Sequence, residues 1–279
     1  MTLQNVLRRG RQRLIEAGIT EPELNAWYLF AHCFAMNRTA FFLRGNERAE
    51  EETVQRYYRL LDIRCNHVPL EYITHETEFM GLPFYIDENV LIPRQDTECL
   101  AELVLEECKG KDVLDLCTGS GCIGISLAVL GNCRSVTLAD VSGEALAVAQ
   151  KNAEKNHAEV RLVESNLFSE IEDTYDVIVS NPPYIASDVI ESLEPEVKDY
   201  EPRLALDGSA DGLAFYRRII EESRRFLRRG GRLAFEIGYD QGESVCHMME
   251  AAGFTEVERK KDLAGLDRIV RGWNGGKNV

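Results

Sequence analysis

Long apolar runs are missing from this 279-residue chain. No stretch reaches the roughly 18 consecutive apolar residues that a helix needs to cross a bilayer core, so no membrane span is expected. Met1 to Arg13 carries basic residues without an apolar segment and cleavage site. No secretory signal is read there, and a cytoplasmic location is expected. Cysteine occurs eight times but never as Cys-x-x-Cys, which removes both a disulfide framework and a zinc ribbon. Cys117 and Cys122 come nearest to a metal pattern, yet the five histidines are scattered and no ligand set assembles, so no metal is expected. A positive charge balance is also lacking: 47 acidic residues stand against 32 basic ones, a formal net charge of -15. A protein that grips a nucleic-acid backbone presents positive charge to it, so duplex DNA is disfavoured and no direct nucleic-acid partner is expected. The basic clusters at Arg8 to Arg13 and Arg217 to Arg229 are read as solvated helix faces. No internal repeat or low-complexity tract occurs.

The length exceeds the usual single domain, which suggests a large domain with a smaller one. Over residues 1–68 the apolar positions Leu3, Val6, Leu7, Leu14 and then Leu24, Trp27, Tyr28, Ala31, Phe34 recur at helical spacing. Gly18 reads as a helix stop, and Thr20-Glu21-Pro22-Glu23 as a capped helix start with a first-turn proline. Glu50 to Asn66 reads as a third helix. Residues 69–94 change to aromatic and alternating texture with turn formers and read as a hairpin linker. Residues 95–279 alternate β-branched runs with amphipathic stretches. Strands are expected at 113–116, 135–139, 160–163, 177–179 and 232–237, which implies a parallel sheet covered on both faces. The segments 255–258 and 267–270 are expected as an antiparallel pair at one edge.

The first of these strands ends in Asp115-Leu116 and runs into Cys117-Thr118-Gly119-Ser120-Gly121-Cys122. Glycines there let the backbone approach a ligand beneath a helix N-terminus. Gly119 to Gly124 also satisfies Gly-x-Gly-x-x-Gly, so a dinucleotide fold stands as an alternative, though that pattern alone is weak. Two carboxylates favour S-adenosylmethionine. Asp115 lies in a buried apolar strand, where ionisation is costly unless something binds it. Asp140 ends the second strand, where a carboxylate can accept both ribose hydroxyls. Taken singly, Asp115 has a plainer reading as a turn or capping residue, and Asp140 as an exposed strand end. Their joint placement around a glycine loop favours the cofactor.

After the fourth strand the chain reads Asn181-Pro182-Pro183-Tyr184. Two prolines fix the backbone, so the Pro182 carbonyl has a set direction and stays outside any ladder. With the Asn181 side-chain carbonyl it offers two acceptors to the two hydrogens of an NH2 group. A conjugated NH2 nitrogen is a poor nucleophile, and holding both hydrogens aims its lone pair at a sulfonium methyl. The Tyr184 ring can pack against the planar group. The plainer reading of the tetrapeptide is a rigid turn closing a strand.

On these residues the chain resembles the release-factor glutamine methyltransferases, which modify the glutamine of a Gly-Gly-Gln motif. The likeness extends to Pro69-Leu70-Glu71-Tyr72-Ile73-Thr74, Val90-Leu91-Ile92-Pro93-Arg94, Asp199 to Gly208 and Asp262 to Arg268. The resemblance implies an α/β, class I S-adenosylmethionine-dependent methyltransferase fold, Rossmann-like, with a seven-stranded, mostly parallel sheet. It also implies a small all-α N-terminal domain that docks the release factor, joined by a β-hairpin linker. It implies that Asn181, Pro182, Pro183 and Tyr184 handle the glutamine amide, and that Asp115, Cys117, Thr118, Gly119, Ser120, Gly121, Asp140, Asn166, Leu167 and Asn181 hold the cofactor, with Arg94 and Thr97 near its mouth. A monomer acting on peptide chain release factors is expected. Cys117 stands where the family usually has glycine, Asn166 where it has aspartate, and Gln95-Asp96 where proline and glutamate are common. Two rivals stay open: a methyltransferase for another planar nitrogen, in a ribosomal-protein glutamine or in adenine or cytosine, and a non-catalytic protein that binds the cofactor.

Overall fold

The computed structural model describes residues 1–275. Thr2 accepts a hydrogen bond from the Asn5 amide (3.3 Å) and opens α1 (Leu3–Glu16), satisfying one of the amides a helix start leaves unpaired. Gly18, at φ 72°, follows its end. The next helix, α2 (Pro22–Phe34), begins at the expected proline, but Thr20 does not cap it. The N-cap is Glu21 at φ 51°, and the buried Asn25 instead donates its side-chain amide to the carbonyls of Thr20 (3.0 Å) and Glu21 (3.1 Å). A short helix, α3 (Arg38–Arg44), precedes α4 (Glu51–Arg64) and escapes the apolar spacing because it buries none of its residues. Its start is marked only by Asn37, which accepts from the Ala40 amide (2.8 Å). A fifth helix, α5 (Leu70–Thr74), follows.

These helices form one compact unit, Met1–His75, that also takes in Glu194–Tyr200. Val6, Leu14, Leu29, Phe30, Tyr57 and Leu61 are wholly buried in its core. A Cβ at Gly10 would lie 2.0 Å from the Tyr57 hydroxyl oxygen, so only glycine lets α1 pass that ring. The buried Arg64 donates to Asn25 Oδ1 (2.7 Å) and to Glu196 Oε1 (2.6 Å), and Tyr200 donates its hydroxyl to the Asn66 carbonyl (2.7 Å). Apolar periodicity carries no trace of the 194–200 segment belonging here, because polar bonds hold it.

The second unit is Glu76–Leu193 with the chain from Glu201 onward. It opens with a hairpin, β1 (Thr77–Phe79) and β2 (Leu82–Phe84), whose turn residues Met80 and Gly81 both have positive φ (54° and 74°). That is the turn whose twist matches two paired strands. There follow α6 (Gln95–Leu105), β3 (Asp112–Leu116), α7 (Cys122–Leu130), β4 (Ser135–Asp140), α8 (Gly143–Lys155), β5 (Arg161–Glu164) and β6 (Tyr175–Ser180). After the helix Ala214–Ser223 come β7 (Leu227–Glu236), the helix Gly242–Ala251, β8 (Phe254–Lys261) and β9 (Asp267–Asn274). Seven strands make one sheet in the order β5-β4-β3-β6-β7-β9-β8. Strands β3 to β7 run parallel, while β9 is antiparallel to β7 and to the edge strand β8, as the terminal segments suggested. Val113, Leu114, Val177, Ile178 and Val179 are fully buried, which explains the unbroken apolar texture of β3 and β6. From β3 the chain proceeds outward to β4 on one side and later returns to β6 on the other. A crevice therefore opens beyond the carboxyl ends of these strands.

Candidate active site

The loop leaving β3 is organised by a carboxylate inside the protein. Asp115 is completely buried, and its Oδ2 accepts from the Thr118 hydroxyl (2.6 Å) and the Gly124 amide (2.9 Å). Oδ1 has no hydrogen-bond partner among the described residues. Burial pushes this carboxyl up to about 7 against the two hydrogen bonds, with Asp140 adding a smaller push. Gly124 has to be glycine for α7 to seat on the sheet, since a Cβ would lie 2.1 Å from the Leu138 side chain and 3.0 Å from Asp115 Oδ2. Cys117 adopts φ 60°, the left-handed region that favours glycine.

Above this loop lies a cavity of about 320 Å³, in the range of small-molecule sites. Its wall includes Cys117, Thr118, Gly119, Ser120, Asp140, Asn166, Leu167, Thr97, Asn181 and Pro183. Of the other residues singled out in the sequence, Asp115, Gly121, Pro182, Tyr184 and Arg94 do not line it. Asp115 thus fastens the loop through Oδ2 while Oδ1 keeps no partner among the described residues. Arg94 is turned into an ion pair with the buried Glu201. Pro93, Val90, Leu91, Leu204 and Phe215 contribute to the apolar part of the wall; all but Phe215 lie in segments that carry the family likeness, and Phe215 stands in no motif.

Asp140 accepts from the Gly119 amide (2.9 Å) through one oxygen and from the Ser142 amide (3.0 Å) through the other. Each oxygen keeps a further lone pair for a ligand hydroxyl. Burial raises its pKa, and the backbone amides oppose the rise. Beyond β5, the Ser165 hydroxyl donates to the Leu167 carbonyl (2.7 Å) and accepts from the Glu170 amide (3.0 Å), holding Leu167 at φ 56° on the wall. Asn166 accepts from Arg218 (3.0 Å) through its carbonyl, which leaves its NH2 as the group to offer a ligand.

Ser180 ends β6 by donating to the Leu116 carbonyl (2.6 Å), tying the two central strands together where the proline segment departs. Asn181 donates its amide NH2 to the Thr97 hydroxyl oxygen (3.4 Å), so its Oδ1 is the end left to accept. Tyr184 is held at both ends: its hydroxyl donates to Glu236 Oε1 (3.4 Å) and its carbonyl accepts from Gln241 (2.9 Å). Neither Glu236 nor Gln241 stands in a recognisable sequence motif, so both were missed. Asn152 on α8 was missed as well; wholly buried, it donates to the carbonyls of Tyr85 (3.0 Å) and Ser120 (2.9 Å), fastening the glycine loop to the chain that enters the cavity wall.

The residues present fit an adenosyl cofactor: a carboxylate for two hydroxyls, a backbone loop with an open face at Gly119, and a neutral amide donor at Asn166. Among the described residues no group of three or more His, Cys, Asp or Glu is placed to hold a metal ion, and no helix is long and apolar enough to cross a membrane.

Comparison with known structures defines the class. A methyltransferase from Pyrococcus furiosus matches with a TM-score of 0.54 over 78% of this chain and 98% of its own, at 20% identity. The hMettl16 catalytic domain matches with 0.58 over 79% and 83%, at 18% identity. The second unit therefore has the class I methyltransferase fold. Family models described as Methyltransferase small domain and PrmC N-terminal domain match residues 95–194 and 5–74. Release factor glutamine methyltransferase of Clostridium botulinum is 40% identical over 97% of this chain and 99% of its own, and that of Deinococcus radiodurans is 34% identical over 99% and 100%. The chain belongs to the release factor glutamine methyltransferase family.

Proposed function

We propose that this protein transfers a methyl group from S-adenosylmethionine to the side-chain amide nitrogen of the glutamine in the Gly-Gly-Gln motif of peptide chain release factors. The observation that carries the reading is the joint presence of Asp140 and Asn181 on the wall of one cavity, with the Asn181 amide already oriented by Thr97. Family membership over nearly the full length supports the choice of acceptor. In this reading Asp140 takes the ribose hydroxyls, Asn166 and Leu167 flank the adenine, and Cys117 to Gly121 wrap the remainder. Thr97 and Arg94 border the mouth, and Asp115 acts through the loop it braces.

When bound, the cofactor supplies a methyl group on a positively charged sulfur. The protein's own part is to hold a weak nucleophile. Asn181 Oδ1 and the Pro182 carbonyl accept the two N–H bonds of the glutamine amide, which turns the nitrogen lone pair out of conjugation and toward the methyl. Pro183 keeps that carbonyl direction fixed, and the Tyr184 ring lies beside the planar amide. Once methylated, the nitrogen is acidic and sheds its proton without a strong base at its side. Residues 1–68 are assigned to docking of the release factor, 69–94 to the linker and 95–279 to catalysis. The reading also carries a monomeric protein at work in the cytoplasm, with no direct grip on nucleic acid.

Incubation with methyl-labelled cofactor and a panel of release factor, its glutamine-substituted variant, ribosomal protein and oligonucleotide tests this. Label should enter the intact release factor alone; label on the oligonucleotide instead would overturn the assignment. Asn181→Ala should lower kcat by about 100-fold or more, as expected for loss of an oriented transition-state contact, and leave the cofactor Kd within a few-fold by calorimetry.

A further inference from the structure

The steps above leave unused a carboxylate in the same neighbourhood. Glu236 is the last residue of β7 and is 1% exposed. Its Oε2 has no hydrogen-bond partner among the described residues, while Oε1 accepts from the Tyr184 hydroxyl (3.4 Å). The Thr97 hydroxyl is close enough to this carboxyl to favour its ionised form, and Thr97 accepts from the Asn181 amide (3.4 Å). Glu236, Thr97 and Asn181 are thus neighbours in that order, with Oε2 of the buried carboxyl still to be satisfied. A primary amide has a donor end and an acceptor end of nearly equal size, so packing alone does not choose which end of Asn181 points outward.

We propose that ionised Glu236 draws the Thr97 hydroxyl proton to its unpartnered oxygen and is thereby a positioning residue, setting the direction of the hydrogen bond between Thr97 and Asn181 and fixing the Asn181 carbonyl toward the acceptor amide. This rests on the functional reading above. An ionised carboxylate only accepts, so Thr97 must donate to it. The Thr97 oxygen is then left to accept from the Asn181 NH2, and Oδ1 faces out. A protonated Glu236 can donate, which releases the Thr97 hydroxyl to donate toward Asn181 Oδ1. The amide then turns and presents NH2 to the NH2 it should hold.

The groups facing Glu236 are Asp96 and Thr97 of α6, Cys122 of α7, Tyr184 after β6, Tyr216 of the helix Ala214–Ser223, and Arg268 of β9. Tyr216 donates to the Glu236 backbone carbonyl (2.9 Å), and Arg268 is shared with Asp262 and Asp96 (both 3.1 Å). Burial pushes the Glu236 carboxyl up to about 7, against the Thr97 hydroxyl and the Arg268 charge. Because the ionised form is the competent one, turnover should fall as pH drops through that region.

The side-chain amide resonance of Asn181 in the 15N-labelled protein, assigned by its loss in Asn181→Asp, reads the orientation directly. It should titrate near neutral pH in the native chain and stay fixed in Glu236→Gln. In glutamine transfer, Glu236→Gln and Thr97→Val should each lower kcat by about 10- to 100-fold through misorientation, with cofactor Kd within a few-fold. The double variant should be no worse than the poorer single one, and Thr97→Ser should recover most of the loss. An Asn181 resonance that does not titrate in the native chain, or single losses that multiply in the double variant, would overturn the proposal. A resonance that titrates in a native protein unable to methylate release factor would sink the functional reading and leave the coupling standing.

Discussion

Cys117 holds a left-handed backbone conformation at the entrance to the cavity loop, and a non-glycine residue there is strained by roughly 1–2 kcal/mol. The side chain recovers part of this by packing against the core beneath the sheet's carboxyl edge. Cys117→Gly should therefore leave stability within about 1 kcal/mol of the native value, a shift of only a few degrees in Tm. Cys117→Val should be worse by about 2 kcal/mol or more, since a β-branched residue is a genuine outlier at positive φ. Thermal unfolding of the two variants compares them; a Val variant as stable as the Gly variant would contradict the strain. At this scale the sequence was readable where chemistry is local: Asp140, Asn166 and Asn181 lie on one cavity wall. For Asp115 the strand position shows the cost of burial but not that Thr118 and Gly124 take up one oxygen, Oδ2, and leave the other unpartnered. Glu236 was unreadable, because its meaning depends on Thr97 and Tyr184, far away in sequence.

Among the elements, the proline segment after β6 owes its position to the end of the Asp199 to Gly208 segment, at Leu206-Asp207-Gly208. The Ile185 amide donates to the Leu206 carbonyl (3.0 Å), and the Gly208 amide donates back to the Ile185 carbonyl (2.8 Å). Gly208 and Gly212 make this possible by offering no side chain to the backbone of Tyr184. A Cβ at Gly212 would lie 2.3 Å from the Tyr184 carbonyl oxygen, and its φ of 70° disfavours any other residue. Gly212→Ala should push Tyr184 aside and lower kcat by about 10- to 100-fold while the cofactor Kd changes little. Unchanged turnover in that variant would show that Tyr184 does not need this support. The central parallel strands were legible because burial on both faces writes continuous apolar runs, whereas β5 and the edge strand β8 are exposed or half-buried along most of their length and show only as short β-branched segments. Helix α3 was not, because Phe42 and Leu43 point outward, 85% and 76% exposed, and the repeat that marks an embedded helix is absent.

At the level of the whole molecule, charge is unevenly spread. Ten basic and nine acidic residues nearly balance over the first 75 residues, so the whole of the formal charge of -15 resides in the remainder, where the cavity lies. A polyanion should find no purchase there. The protein should pass unretained through a heparin column at about 0.1 M salt, where charges beyond about 10 Å are already screened. Firm retention would point back toward a nucleic-acid acceptor. The division of the chain was only partly readable, since linker texture marks one crossing from the helical unit and nothing marks the other two.

The segment 194–200, enclosed with the first 75 residues by Arg64 and Tyr200, lies in the sequence between the Asn181 turn and Glu201, the partner of Arg94. The helical unit is therefore not a cassette with one joint. A recombination event that swapped only the first 75 residues between two relatives would give the incoming helices a foreign strap, with Arg64 facing whatever replaced Glu196. Inheritance of the two units should be correlated along the lineage, the strap changing in step with the helices and not with the sheet that flanks it on either side in the gene.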